Sequence, residues 1–417
     1  MRWRIIMLHS YEVLFSGLLT VALSVSPIIS EKELIQSVNS DVIESTTKIR
    51  RDTDEAIKQY TNLLEQLNFG KKQERSAHIP VDAAGIAFDA DALRDVGLTA
   101  KNISVDSKIV EETIMPSMQE VSTVVKVIST AILRADNDTR IFLAGKEVEE
   151  LSSSATDYHK IDLAKTNNAS NLTVVADKQL TLEEVQRLQL PSLEEDSHRG
   201  ERRTARIESR TQKFPSVSHA SYRSKAQFDY LKMIQYAELW TDSNHADRMN
   251  PDFPDYHNFL GHEIDFPIGS SGSNCTNFVS QSLYAGGLPL NAGVNGNAKK
   301  DDESAWTWNV KGISGATYTW SAANNNFRYM RDYSGIFKVE NSPRKAWEGS
   351  IIYGDWGMDG TYDHAMVVVG YTVKDGFGTP IICQKSNNRH DYPFSLSDSN
   401  AVSDYKKVKW TVLQLQF

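Results

Sequence analysis

Cys275 is the residue whose type and setting first suggest chemistry. It follows Ser273 and Asn274 and precedes Phe278 to Leu283, a run with apolar residues at helical spacing. Ser and Asn are good helix N-caps, so we expect a helix with Cys275 in its first turn. The unpaired N–H groups and positive dipole end found there favour the nucleophilic thiolate. A small buried hydrophobe is the alternative for a free cysteine.

His364 is the candidate base for such a nucleophile. It stands between a turn-rich segment, Asp355–Asp363, and the apolar run Ala365–Tyr371. The apolar run predicts a β-strand with His364 at its leading edge. A general base must lie within hydrogen-bond reach of the nucleophile, on a rigid element. A helix N-terminus against a strand edge supplies that geometry, so we interpret Cys275 as nucleophile and His364 as base.

The order of motifs around these two residues is typical of one family. The motifs are Tyr236-Ala237-Glu238-Leu239-Trp240, Asn250–Pro254, Cys275–Gln281 with Ala285-Gly286-Gly287, the Trp320 region, Asp359–His364, and Asn387-Asn388-Arg389. The segment 221–400 thereby resembles the amidase domain family of secreted Gram-positive proteins, papain-like cysteine hydrolases related to CHAP and NlpC-type domains. The resemblance implies a helix carrying Cys275 packed on an antiparallel sheet carrying His364. It also implies hydrolysis of an amide bond, with peptide or peptidoglycan-like material as substrate.

The sequence departs from the family pattern at three places, one of which is Gly349-Ser350, where the family usually has Gly-Asp. Asn274 stands where the family usually has Asp, and Lys385 occupies the place of a second His. Papain-like catalysis also needs a polar side chain that orients the imidazole. Gln384 and Asn387 are the nearest candidates for this third catalytic residue, whereas Lys385 can only donate. The departures leave a catalytically weakened binding module as one alternative and an acyl transferase with the same Cys–His pair as another.

Three further residues are candidates for contact with substrate. Asn274 adjoins the nucleophile, and Trp306 and Trp320 belong to an aromatic cluster that could line a cleft. Core packing is the competing interpretation for large aromatic side chains.

We expect no metal and no cofactor. The Asp355 loop has Gly357 and Met366 where a calcium loop needs oxygen ligands. His257 and His262 lack further zinc ligands at typical spacing. The sequence has no phosphate-binding or dinucleotide-binding glycine motif.

The elements that must position these residues follow from composition. Of the 23 glycines, 17 lie after residue 220, as do seven of the eight tryptophans, whereas the preceding part is richer in charge. In chain order we predict a signal peptide at 1–30, a helical region at 31–120, a small β-rich accessory region at 121–190, a charged linker at 191–216 and an amidase-like catalytic domain at 217–417. The predicted fold class is α+β.

Local patterns support these divisions. Apolar residues from Ile35 to Leu67, including Ala56, Tyr60 and Leu63, recur at helical spacing and predict a helix over 31–68. Residues 121–177 are rich in β-branched residues and alternate, which predicts strands. We expect a second helix around 81–118 to pack on that sheet.

Charge and cysteine content limit the partners. The net charge of −9 disfavours nucleic-acid binding. Arg2 and Arg4 before the apolar stretch Val13–Val25 predict export, with no integral membrane segment afterwards. We therefore expect a secreted, extracellular protein that could associate with the cell wall. The chain has two cysteines, and we expect Cys275 and Cys383 to remain unbridged because a nucleophile must be free. The sequence leaves the oligomeric state open.

Overall fold

A computed structural model describes the chain in eleven ranges: 31–68, 87–115, 120–165, 171–180, 228–246, 249–253, 274–293, 297–309, 316–385, 387–398 and 407–416. The predicted signal peptide at 1–30 and the linker at 191–216 lie outside the described residues. So do Ser273 and the histidines His257 and His262. Among the described residues, no helix is both long and apolar enough to cross a bilayer.

The chain divides into two compact units, residues 1–55 and 56–417. Helix α1 spans Glu31–Asn68, which confirms the helix predicted over 31–68. In the first unit, Thr53 is buried and its hydroxyl donates to the Ile49 carbonyl at 3.0 Å. In the second unit, the predicted apolar stripe is buried at Ala56 and Tyr60, and Leu64 rather than Leu63 is fully buried next to them.

The first half of the second unit is mostly sheet. Its elements after α1 are α2 (Ala90–Asp95), β1 (Leu98–Ile114), β2 (Glu120–Ala135), β3 (Thr139–Leu143), β4 (Lys146–Val148), β5 (Glu150–Lys165) and β6 (Leu172–Gln179). The strands predicted in 121–177 are confirmed. The helix expected around 81–118 is wrong, because strand β1 takes up most of the described part of that stretch, 87–115, and α2 is the only helix in that part.

The pairing of β1 with β2 explains why this stretch is a strand. Strand β1 runs antiparallel to β2 from Leu98 opposite Ala135 to Ile114 opposite Val121. β2 is a long, largely buried strand, and its unpaired backbone groups would be costly. Pairing along almost its whole length agrees with the β-branched residues of β1, such as Ile103, Val105 and Ile109, which favour a strand over the helix expected here.

The second half holds both predicted catalytic residues. Its elements are α3 (Tyr230–Thr241), α4 (Asn274–Ala285), α5 (Tyr318–Ser321), α6 (Ala323–Asp332), β7 (Phe337–Glu340), a 3₁₀ turn (Pro343–Lys345), β8 (Ile351–Asp355), β9 (His364–Lys374), β10 (Phe377–Gln384), β11 (Arg389–Pro393), a helical turn at 394–398 and β12 (Lys409–Leu415). The mixture of helices with an antiparallel sheet confirms the α+β class.

One sheet connects the two halves. The twelve described strands form a sheet in the order β1-β2-β5-β11-β10-β9-β8-β12-β7, with β3 on β9 and β4, and β6 on β5. Arg389 and His390 of β11 pair with Ala155 and Ser154 of β5. The strands predicted as an accessory region therefore continue the sheet that carries His364.

Candidate active site

Helix α4 places Cys275 as its second residue, in the first turn as predicted. The helix ends in a Schellman motif: Leu288 N–H donates to the Leu283 carbonyl at 3.1 Å and Gly287 N–H to the Tyr284 carbonyl at 2.9 Å. Gly287 has φ of 91°, the left-handed conformation that this motif requires and that glycine adopts readily. The Gly-Gly pair thus ends the helix, as the sequence predicted.

A ladder of polar side chains holds α4 in the core. Tyr236 of α3 donates to Gln281 Oε1 at 2.7 Å, and Gln281 donates to Asn277 Oδ1 at 3.0 Å. Asn277 in turn donates to Asn274 Oδ1 at 3.1 Å. Asn274, Asn277 and Gln281 are all buried. Buried amides remain stable only when their hydrogen bonds are satisfied, so the ladder restrains the helix and hence the position of Cys275.

The two tryptophans predicted to contact substrate support this helix instead. The indole N–H of Trp320 donates to Asn277 Oδ1 at 2.8 Å, and that of Trp306 donates to Ser280 Oγ at 3.1 Å. Both side chains are fully buried, and their ring centroids lie 4.7 Å apart. Because the polar atom of each indole points into α4, the structure corrects the prediction: Trp306 and Trp320 are core residues.

The side chain of Asn274 also forms a hydrogen bond within the protein. Asn274 is 2% exposed, and its amide oxygen accepts from Asn277. Its side chain therefore braces the first turn of α4, and the prediction that this side chain binds substrate is not supported by its contacts.

His364 begins strand β9, at the leading edge that the sequence predicted. It pairs with Gly354 of β8, and a Cβ on Gly354 would lie 2.8 Å from the rings of Trp356 and Trp410. The missing side chain makes room for Trp356, whose ring stacks on His364 with centroids 5.7 Å apart. An indole against one face of the imidazole limits its rotation and excludes water from that face.

Gln384, the last residue of β10, holds the edge of the imidazole. Its amide nitrogen donates to the Asn387 carbonyl at 3.1 Å, and a carbonyl can only accept. The amide oxygen must therefore face His364, where it lies 3.2 Å from Nε2. An acceptor at Nε2 requires the proton on that nitrogen, which leaves Nδ1 with a lone pair. Nδ1 is buried and has no hydrogen-bond partner among the described residues.

Of the two candidates for the third residue, the structure brings only the side chain of Gln384 to the imidazole. Asn387 contributes its backbone carbonyl, while its own amide oxygen has no hydrogen-bond partner in the described ranges. The prediction that Asn387 could orient His364 with its side chain is thus not supported, and its role is to hold Gln384.

The turn after β10 is anchored from two sides. Asn388 donates to the Thr241 carbonyl of α3 at 2.7 Å. On the other side, Arg389 forms a buried ion pair with Asp157 of β5 at 2.6 Å. Lys385 is buried as well and donates to the backbone carbonyls of the segment after α3, at His245 O and Ala246 O. These contacts restrain the turn that positions Gln384.

Cys275 and His364 are both buried, with 1% and 2% exposure. Helix α4 packs on β9. Tyr353 links the two residues: it pairs with Ala365, next to His364, and its pKa is raised by burial and by the nearby charge of Cys275. The two residues therefore lie in one region of the structure, and His364 Nδ1 accepts no hydrogen bond from any of the described residues.

The Asp355 loop is a turn organised by backbone donors. The Asp355 carboxylate accepts from the N–H groups of Asp359 and Gly360 at 3.2 and 3.0 Å. Asp363 accepts from the Trp356 N–H at 2.9 Å. The loop thereby carries Trp356 to the face of His364.

Sequence reasoning missed several residues around the site. The residues that contact or support the site, but were not predicted from the sequence, are Trp356, Tyr353 and the pair Asn277 and Gln281. The available signal was spacing: Asn277 and Gln281 lie four apart on a helix and share a face with the first turn. Both cysteines are free, as expected.

Comparison with known proteins finds similarity in the C-terminal part of the chain. Residues 227–409 match the model of a family described as "Putative amidase domain". The "Uncharacterized protein YhbB" of Bacillus subtilis (strain 168) is 30% identical over 180 residues, which are 42% of this chain and 47% of that protein. The chain thus spans about half the length of this relative, and no solved structure matches it. The matched segment contains Cys275, His364 and Gln384, and the similarity to an amidase domain indicates a hydrolase.

Proposed function

We propose that the C-terminal region is a cysteine amidase, with Cys275 as nucleophile and His364 as general base. The observation that carries this proposal is the contact between Gln384 Oε1 and His364 Nε2. It places the imidazole proton on Nε2 and leaves Nδ1 available to accept the thiol proton. Helix α4, which presents the thiol, packs on the strand that begins with this histidine.

The reaction follows from these groups. Nδ1 of His364 takes the proton from Cys275 Sγ, and the sulfur attacks the amide carbonyl. The carbon–nitrogen bond breaks, the imidazolium returns the proton to the departing amine, and a thioester remains. Water, deprotonated by the same nitrogen, then hydrolyses the thioester to a carboxylate and restores the thiol. The N–H groups of the first turn of α4 have no acceptor within the helix and are suited to stabilise the oxyanion.

Peptide amides of peptidoglycan are the substrate class in this proposal. The reasons are the resemblance to secreted amidase domains and the export pattern of Arg2, Arg4 and Val13–Val25. We accordingly propose that the protein is secreted. Mass spectrometry of protein from the culture medium of an expressing Gram-positive host should find an N-terminus near residue 30. Retention of the intact N-terminus in the cell fraction would contradict export.

The test of activity uses the full chain, because the sheet continues from β5 into β11. Peptidoglycan fragments are incubated with the wild type, with Cys275→Ala and with Ser282→Ala, and new amine and carboxylate ends are identified by mass spectrometry. Ser282 is the matched control, since its hydroxyl only donates to the Phe278 carbonyl of the same helix at 2.9 Å. We expect cleavage by the wild type and Ser282→Ala and none by Cys275→Ala.

Two results would overturn the proposal. Cleavage that survives Cys275→Ala would exclude the thiol mechanism. Unchanged fragments with every variant, together with binding of those fragments, would favour the binding module.

A further inference from the structure

A second group of reactive side chains lies on the β10–β11 hairpin. It consists of Cys383 on β10 and His390 and Asp391 on β11. Gln384, the neighbour of Cys383, contacts His364, whereas the Cys383 thiol contacts Thr241 of helix α3 at 3.2 Å. The group is therefore separate from the contacts of the proposed catalytic imidazole.

The distances within this group suit a metal ion. Cys383 Sγ lies 3.6 Å from one carboxylate oxygen of Asp391, and His390 Nε2 lies 3.6 Å from the other. The three potential ligand atoms all lie within 4.8 Å of one another. A tetrahedral zinc ion with ligands at about 2.3 Å for sulfur and about 2.1 Å for oxygen and nitrogen would separate its ligand atoms by about 3.4–3.6 Å.

Asp391 supplies an independent indication. It is 5% exposed, and within the described ranges its carboxylate receives one hydrogen bond, from the Cys383 thiol. The His390 nitrogen at 3.6 Å is beyond hydrogen-bond distance. A buried carboxylate without N–H or O–H donors is unfavourable unless a cation compensates its charge. This carboxylate is aimed at a thiol and an imidazole, which are ligands that accompany such a cation in metal sites.

The surroundings resemble the outer contacts of a metal site. His390 Nδ1 lies 3.0 Å from Thr241 Oγ1, so the hydroxyl can accept its proton and leave Nε2 for a metal. The backbone N–H of Asp391 donates to Cys383 Sγ at 3.5 Å, which would stabilise a thiolate. The ligating histidines of known sites are commonly held through their second nitrogen in this way.

We propose that Cys383, His390 and Asp391 bind a zinc ion through Sγ, Nε2 and a carboxylate oxygen, with water as the fourth ligand. The mixture of sulfur, nitrogen and oxygen ligands favours zinc over calcium or magnesium, which prefer oxygen alone. Binding converts the thiol to a thiolate and releases its proton to solvent. The ion would join β10 to β11 across the turn that positions Gln384, so its role is structural.

The test measures metal directly and does not depend on catalysis. Full chain is treated with a chelator, dialysed, and loaded with zinc or with cobalt(II). We expect about one equivalent of zinc per chain and, with cobalt, a thiolate-to-metal charge-transfer band. Cys383→Ser should abolish the band, and Cys275→Ser, the matched control that removes the other cysteine, should retain it.

Stability gives a second readout. Zinc should raise the Tm of wild type and Cys275→Ser but not of Cys383→Ser, because a ligand that binds only the folded state stabilises it. If circular dichroism shows that Cys383→Ser does not fold, His390→Gln replaces it as the ligand variant, because His390 is only partly buried. The proposal is overturned if wild type binds no metal after loading, if the band is lost in Cys275→Ser instead, or if folded His390→Gln binds zinc as tightly as wild type.

Discussion

Gln384 Oε1 lies 3.2 Å from His364 Nε2, and in the proposed mechanism this contact leaves the other nitrogen, Nδ1, as the base. The amide cannot turn over, because its nitrogen donates to the Asn387 carbonyl. The geometry resembles that of the amide or carboxylate that orients the histidine of known catalytic triads, and the proposed mechanism uses Gln384 in the same way.

Replacing Gln384 should therefore impair turnover. We expect Gln384→Ala to lower kcat by about 10-fold or more with a smaller change in KM, because the base loses its orientation. In Gln384→Glu, a carboxylate would stabilise the imidazolium and move the acid limb of the pH–rate profile to higher pH. Wild-type rates and profiles in both variants, measured on peptide amides, would exclude Gln384 as a positioning residue.

The reactivity of the two cysteines should differ. A thiol next to a base at a helix N-terminus reacts well below the pH of about 8.5 at which ordinary cysteine ionises. In the metal-free protein, burial, and then the neighbouring Asp391, raise the pKa of Cys383 well above its usual range. Iodoacetamide at pH 6, followed by peptide mapping, should label Cys275 rapidly and Cys383 hardly at all.

The control for that labelling is His364→Ala, in which Cys275 should label only at alkaline pH. Slow labelling of Cys275 at pH 6 in the folded wild type would contradict the Cys–His pair, as would identical profiles in the two proteins.

The ion pair between Arg389 and Asp157 should contribute strongly to stability. Both side chains are about 5% exposed, so Asp157→Ala leaves a buried guanidinium without its counter-charge. We expect the free energy of unfolding in urea to fall by about 3–5 kcal/mol. Asp332→Ala, which breaks an exposed pair with Arg331, should cost at most about 1 kcal/mol. Equal losses in the two variants would contradict the assigned role of the buried pair.

Stability should also depend on the protonation of Glu238. Burial, followed by the charge of Glu348, raises its pKa from the ordinary 4.5 to about 7. Between these values the folded chain binds more protons than the unfolded chain, so the free energy of unfolding falls as pH rises through that window.

Urea unfolding of chelator-treated protein across pH 4.5–7 measures this dependence. Glu238→Gln should make the fall shallower. The control is Glu340→Gln. Hydrogen bonds from Lys345 and Lys338 lower the pKa of Glu340, so this carboxylate makes the free energy of unfolding rise with pH. Removing it therefore cannot make the fall of the free energy of unfolding shallower. A slope that is unchanged in Glu238→Gln would show that Glu238 does not titrate in this range.

Local features of the chain were predictable from sequence. Helix α1 occupies the predicted residues, Cys275 lies in the first turn of α4, the Gly286-Gly287 pair ends that helix, and β9 begins at His364. Each depends on caps, breakers and hydrophobic period within a few residues of the feature, which is the range over which sequence patterns act. Gln384 and Asn387 could be named as candidates to orient His364 for the same reason, since they lie at or just after the end of a strand that the local pattern predicts.

The choice between those candidates, and much else, depended on contacts between distant segments. β1 is a strand because β2 pairs with it, and the strands predicted as an accessory region join the sheet that carries His364 because β5 pairs with β11. Trp306 and Trp320 face the core because α4 supplies their acceptors. Cys383 and Asp391 meet only when β10 and β11 pair. The chemistry of the side chains and the local elements that carry them can be read from the amino-acid sequence. Which side chains share an environment depends on strand pairing and core packing, and these are set by contacts between segments far apart in the chain.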